Sequence, residues 1–275
     1  VAPKKTTTIK KLKKPAHRKL HILVSNDDGI DAPGIHALVR ELKKIGEVMV
    51  VAPDKQRSAV GHAITMNYPL RVTKFFKNER FFGYAVEGTP ADCVKLAIRS
   101  LCEVKPDIIV SGVNLGSNTA INIIYSGTVS AATEGTILGI PSIAVSLTTF
   151  EHPDFSYAAK FARKLAAFIG KRGLPEATLL NVNVPAIEAK QIRGVKVTRQ
   201  GKSRWDDKFE LRLDPNNREY YWLAGKLHII DTSADTDEIA VVNHYVSVTP
   251  LHYDLTDYEA LKKIQQWKLE KLVKK

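Results

Sequence analysis

The chain has 275 residues, 44% hydrophobic and 25% charged, enough to bury a substantial core in one large α/β domain or two small ones. No uncharged apolar run approaches the ~18 residues of a membrane-spanning helix, and the basic opening stretch has no apolar segment behind it, which speaks against a signal peptide. The net charge of +12 is unevenly spread: the first 20 residues hold eight of the 41 Lys/Arg and none of the 29 Asp/Glu, which leaves +4 on the rest.

Residues 1–19, rich in Lys with Thr and Pro, read as a solvated, disordered basic arm; contact between this arm and a nucleic acid is the weaker reading. Residues 20–275 read as a single α/β domain. A strand is predicted over 21–26, then a helix over 34–45, where Ile35, Leu38, Leu42 and Ile45 recur every three to four residues. A strand over 47–52 ("EVMVVA") follows, and 70–87 reads as two strands around a polar turn. A helix over 90–102 begins at Pro90, whose missing N–H costs nothing in a first turn. Next come a strand over 107–113 and an Ala- and Thr-rich helix over 128–139. A strand over 141–147 and a helix over 154–171 follow, the helix with Phe155, Ala158, Phe161, Leu165 and Phe168 along one side. A further strand covers 178–184.

Near-continuous apolar strands alternating with amphipathic helices predict a Rossmann-like, doubly wound, mostly parallel sheet covered on both faces. Beyond 195 the pattern changes. "VKVTRQ" and "HYVSVTPL" are strand-like, and "FELRL-DPNN-REYYWL" is a long hairpin turning at Asp214–Asn217. That hairpin either projects toward another subunit or packs on its own domain. Residues 256–275 read as a basic amphipathic helix with Leu261, Ile264 and Leu272, suited to docking or subunit contact rather than to a membrane.

Cys93 and Cys102, the only cysteines, both fall in the 90–102 helix, nine residues and about 13 Å of rise apart. That is too far for a disulfide. Free thiols suit a reducing, cytoplasmic setting, and two of them alone make a zinc-thiolate site a poor reading.

Ligands of open α/β sheets bind beyond the carboxyl ends of the strands. Strand one ends in Asn26-Asp27-Asp28-Gly29, strand two opens into "DKQRSAVGHAIT", and the 107–113 strand runs into "SGVNLGSN". Two adjacent carboxylates repel and are costly to desolvate unless something positive lies between them. Carboxylates, hydroxyls and amides together suit a hard divalent cation. The bland alternative for "DDG" is a turn in which Asp28 caps backbone amides. Ser126-Gly127-Thr128 precede a helix and offer amides, hydroxyls and the positive end of a helix dipole, a seat for phosphate or an ordinary N-cap. A cation beside a phosphate seat points to phosphoester hydrolysis, with Asp27, ahead of Asp28, orienting or deprotonating the water. His36, His62 and His244 lack metal-type spacing and read as structural or peripheral, although His62 near Ser58 is within reach of substrate; "GTPADC" reads as a turn and helix start.

In order along the chain, "ILVSNDDGIDAPGI", "VVAPDKQRSAVGHAIT", "GTPADCVKLA", "PDIIVSGVNLGSN" and "YSGTVSAATEG…GIPSIAVS" resemble the survival protein E (SurE) family of metal-dependent nucleotidases and acid phosphatases. The resemblance runs from about residue 20 to 250 and includes "TRQGKSRWDD" and "YYWLAG". It implies a phosphomonoesterase acting on nucleoside 5′- or 3′-monophosphates, with short polyphosphate as a further substrate. It also implies one divalent cation per subunit (Mg²⁺, Mn²⁺ or Ca²⁺) on Asp27, Asp28, Ser58 and Asn114. Asn26, Ser126, Gly127 and Thr128 then surround the phosphate, and Asn118 lies on the substrate side. A homodimer or homotetramer is implied, with oligomerisation elements in 195–275. The pattern departs at Leu115, where the family often has a basic residue, and at Ala120, where it often has glycine.

The alternative is a non-catalytic nucleotide- or nucleic-acid-binding Rossmann-like protein. A dinucleotide oxidoreductase lacks its G-x-G-x-x-G here, a triad hydrolase its G-x-S-x-G, and a phosphoacceptor receiver the aspartate that should end the "DIIVSGVN" strand.

Overall fold

The computed structural model describes residues 19–273. The predicted arm therefore lies, except for Lys19, outside the described residues. The chain runs β1 (Leu20–Ser25), α1 (Pro33–Leu42), β2 (Gly46–Pro53), β3 (Val72–Lys77), β4 (Arg80–Val86), α2 (Pro90–Leu96), β5 (Ile108–Leu115), α3 (Asn122–Tyr125) and α4 (Gly127–Ile137). It continues with β6 (Ser142–Leu147), α5 (Ser156–Arg172), β7 (Thr178–Val184), β8 (Gly194–Val197), β9 (Ser203–Leu213), β10 (Glu219–Ile229), α6 (Asp237–Val242), β11 (Tyr245–His252) and α7 (Tyr258–Gln265).

Nine strands form one sheet in the order β3-β4-β2-β1-β5-β6-β7-β11-β8. The six central strands, β4 to β7, are mutually parallel; β3 and β11 run antiparallel to β4 and β7. Alternation along β1 explains the layering. Ile22 and Val24 join the core under α1 and α5, whereas Leu23 faces the core under α2 and α4. Truncating a side chain as buried as Leu23 to Ala costs about 2–5 kcal/mol. Chain order reverses between β1 and β5, so the switch point lies directly above Asn26 and Asp27.

Three expectations are corrected. The predicted 90–102 helix ends as α2 at Leu96 and continues as one π turn, Ala97–Leu101; Cys102 lies beyond it in extended backbone, and both thiols are free. The buried stripe of α5 consists of Ala158, Ala159, Ala162, Ala166 and Ile169, while Phe168 is exposed. Small residues let this helix approach α1 and the sheet closely, and the larger Phe161 and Leu165 pack only at its margin. The terminal helix stops at Gln265, because Lys268 adopts a left-handed conformation (φ 55°), and a 3₁₀ turn, Leu269–Val273, follows.

The late hairpin, β9 paired with β10 from Ser203↔Ile229 to Leu213↔Glu219, is a separate two-stranded sheet. Opposite pairs Phe209↔Leu223 and Leu211↔Tyr221 give it an exposed apolar face. Its root is tied to the start of α3 by Trp205 Nε1–H to Asn122 Oδ1 (2.8 Å) and to the β5–α3 loop by Gln200 Nε2–H to Ala120 O (2.7 Å).

Candidate active site

Gly29, with φ 100°, turns the chain sharply after β1, and Asn26 braces the turn by donating Nδ2–H to Gly29 O (2.8 Å). The turn sends the two aspartates to different neighbours. Asp27 is buried at the N-terminus of α4, where Thr128 donates its hydroxyl to Oδ1. The approach requires glycine at 127: a Cβ there would stand 2.6 Å from Asp27 Cβ and 3.0 Å from its Oδ2. Ser126 caps the same helix, its Oγ accepting from Val129 N–H (3.1 Å). Burial pushes the Asp27 carboxyl above its usual range, outweighing the Thr128 hydroxyl and the amides of Gly127 and Thr128.

Asp28 turns the other way and accepts Leu115 N–H at Oδ2 (3.1 Å). Burial and then repulsion from Asp27 push its carboxyl up to about 6. Asn114, next to Leu115, is buried and donates Nδ2–H to Gly116 O (2.8 Å), so its Oδ1 is the atom left for another partner. A register shift in the β5–β6 pairing between Gly112 and Asn114 brings Asn114 opposite Ser146 at the strand end. Ser58 is exposed in the β2–β3 loop, and its neighbour Arg57 donates N–H to Asp27 O (2.7 Å).

Asn26, Asp27, Asp28, Asn114, the Ser58 loop and Ser126–Thr128 thus gather where the β1, β2 and β5 ends meet the start of α4. Asn118 is tied to the ends of β6 and β7. Its Nδ2–H reaches Ser146 Oγ (2.8 Å), its N–H reaches Asn183 Oδ1 (2.8 Å), and its carbonyl accepts from Asn181 and Asn183. The bland reading of Asp28 as an amide cap is also partly present, in the bond from Leu115.

The residues fit a hard cation on their chemistry. Burial raises the proton affinity of both carboxylates, Asp27 raises that of half-buried Asp28 further, and among the described residues no basic side chain counters either of them. Asn26 Oδ1 is buried with no hydrogen-bond partner. Oxygen donors with uncompensated negative charge suit Mg²⁺, Mn²⁺ or Ca²⁺.

Sequence reasoning missed what fixes the Ser58 loop. Glu134, buried on α4, binds His62 Nε2 at 3.0 Å and Lys95 Nζ at 2.7 Å. Asp92 accepts from both the N–H (2.9 Å) and the hydroxyl (2.6 Å) of Thr65 while closing the capping box of α2 with Thr89. No local spacing announces contacts across 72 and 27 residues. His62 is thereby a structural group, and His36 is one too, paired with Asp31 (3.0 Å). Ala120 adopts φ 47°, in a region that favours the glycine often found at this place in the family pattern.

The molecule is a doubly wound α/β protein with an acidic corner at its topological switch point, abutting a helix N-terminus. The family model for survival protein SurE matches residues 22–207. The 5′-nucleotidase SurE of Chlorobium phaeobacteroides is 52% identical over 254 residues, covering 92% of this chain and 98% of the relative. The 5′-nucleotidase SurE of Chlorobaculum tepidum is 50% identical over 258 residues, covering 94% and 98%. The crystal structure of the SurE protein from Aquifex aeolicus superposes with a TM-score of 0.78 at 45% identity, covering 90% of this chain and 99% of that one. The chain belongs to the SurE family.

Proposed function

We propose that this protein is a divalent-metal-dependent 5′-nucleotidase, a phosphomonoesterase that releases phosphate from nucleoside 5′-monophosphates, with 3′-monophosphates and short polyphosphate as further substrates. The observation that carries the reading is the pair Asp27, buried against Gly127 and Thr128, and Asp28, half-buried beside it, with no counter-charge among the described residues. Relatives that are half identical over nearly their whole length bear the name of this enzyme, which disfavours a non-catalytic binder.

Asp27, Asp28, Asn114 and Ser58 would hold one cation per subunit, Mg²⁺, Mn²⁺ or Ca²⁺, which when bound supplies Lewis-acid stabilisation of phosphoryl charge. Asn26, Ser126, Gly127 and Thr128 surround the phosphate, and Asn118 braces the loop beside it through Ser146. The sequence favours Asp27 for handling water, but its Oδ1 is committed to Thr128. Asp28 keeps Oδ1 for that role, because only Oδ2 is taken, by Leu115. Water attacks phosphorus as Asp28 accepts its proton. The P–O ester bond then breaks, and the nucleoside oxygen leaves with the electron pair and takes a proton from solvent.

The apolar face of the hairpin, with Phe209, Leu211, Tyr221 and Leu223 exposed, and the apolar residues of α7 support assembly into a homodimer or homotetramer through 195–275. Among the described residues no helix is long and apolar enough to cross a membrane. Free Cys93 and Cys102 suit a reducing cytoplasm. The test is phosphate release from a panel of nucleoside monophosphates. We expect activity that EDTA abolishes and Mg²⁺ or Mn²⁺ restores; undiminished turnover in chelator would reject the reading.

A further inference from the structure

Phe150, on the loop after β6 at the carboxyl end of the central strands, has 77% of its area open. A side chain of this kind is costly to hold in water, yet the chain fixes it in place. Thr149 N–H bonds to Leu147 O (2.9 Å), and the Thr149 hydroxyl both accepts from Glu151 N–H (3.0 Å) and donates to Glu151 O (2.9 Å). This turn presents Phe150 at its tip.

The ring lies against Gly116. A Cβ on that residue would stand 2.5 Å from Phe150 Cε1 and Cζ, and with φ 104° the backbone at Gly116 favours glycine. The same glycine accepts Asn114 Nδ2–H at its carbonyl and donates N–H to Leu147 O (2.9 Å). Its neighbour Leu115 holds Asp28. The ring is therefore built onto the backbone that positions two of the proposed cation ligands. Gly116 is two residues from Asn114 and adjoins Leu115, so the ring is tied to the backbone beside the proposed cation ligands.

We propose that Phe150 is the stacking surface for the nucleobase of the substrate, with Gly116 beneath it as a flat support. The inference rests on the nucleotidase reading and adds how the nucleoside half is held. Every base has a π-face, so stacking on one ring binds purines and pyrimidines alike without hydrogen-bond readout. Phe150 acts in binding and does not touch the reacting atoms.

The experiment compares AMP with ribose 5-phosphate, which carries the same ester and no base, in wild type, Phe150→Ala and Phe150→Trp. We expect Phe150→Ala to raise KM for AMP about 5- to 150-fold at near-constant kcat. Its kcat/KM for ribose 5-phosphate should be unchanged, and Phe150→Trp should restore AMP affinity. Equal losses on both substrates, an unchanged KM for AMP, or a change in oligomeric size on gel filtration with no substrate discrimination would overturn the proposal. If the wild type hydrolyses neither substrate, the nucleotidase reading itself fails. Calorimetric titration of the Mg²⁺-loaded protein with adenosine then decides for Phe150: binding lost in Phe150→Ala upholds it, and equal or absent binding in wild type and variant rejects it.

Discussion

The two ends of α4 meet carboxylates in opposite electrostatic states. At its N-terminus buried Asp27 lies beside half-buried Asp28 with no basic side chain among the described residues countering either, and burial raises both carboxyls. On its later turns Glu134 is just as buried, but bonds from His62 and Lys95 outweigh burial and hold its carboxyl below the usual range. At Glu134 the chain supplies its own cations. At the acidic corner the described residues supply none.

The comparison breaks most visibly if the corner is neutralised. Asp27→Asn and Asp28→Asn should each lower kcat by about 10²–10⁴-fold while leaving the metal-free fold at least as stable as wild type, because each removes a repulsion. A phosphate-release assay paired with thermal melts checks both halves. Glu134→Gln should do the reverse. It leaves Lys95 and His62 facing a neutral partner and costs about 1–3 kcal/mol of stability, read as a fall in Tm, with a smaller loss of turnover.

The pH dependence of the metal-free protein sharpens the contrast. Asp28 carries a carboxyl raised from 3.8 to about 6, so between these values the folded state binds more protons than the unfolded one. Stability should therefore fall as pH rises from 4 through 6 and level off above, and a divalent cation should reverse the fall. Denaturant unfolding at stepped pH tests this, and Asp28→Asn should flatten the curve. The smallest effect expected is from removing residues 1–19, which should leave kcat and KM within twofold.

Much of this was legible before the fold. The parallel strands announced themselves as apolar runs of five to eight residues, and "NDDG" stood out because adjacent carboxylates at the end of a buried strand are a charge anomaly. The turn and helix start at "GTPADC" formed as read, closed by a capping box between Thr89 and Asp92. Other features escaped because their causes are not local. The face that α5 buries follows from how closely α1 and the sheet approach it, so alanines displaced the expected Phe168. The tether of His62 to Glu134 and the anchoring of Asn118 by Ser146 depend on partners brought together by the sheet order. The end of α7 depends on one residue, Lys268, turning left-handed without a glycine to mark it.

The central claim is that the acidic corner is a cation site, and titration of the metal-free protein with Mn²⁺ in a calorimeter tests it most directly. One site per chain is expected in wild type and in Phe150→Ala, with binding lost in Asp27→Asn and Asp28→Asn. Saturable binding that survives both aspartate substitutions, or no binding by the wild type, would contradict the account.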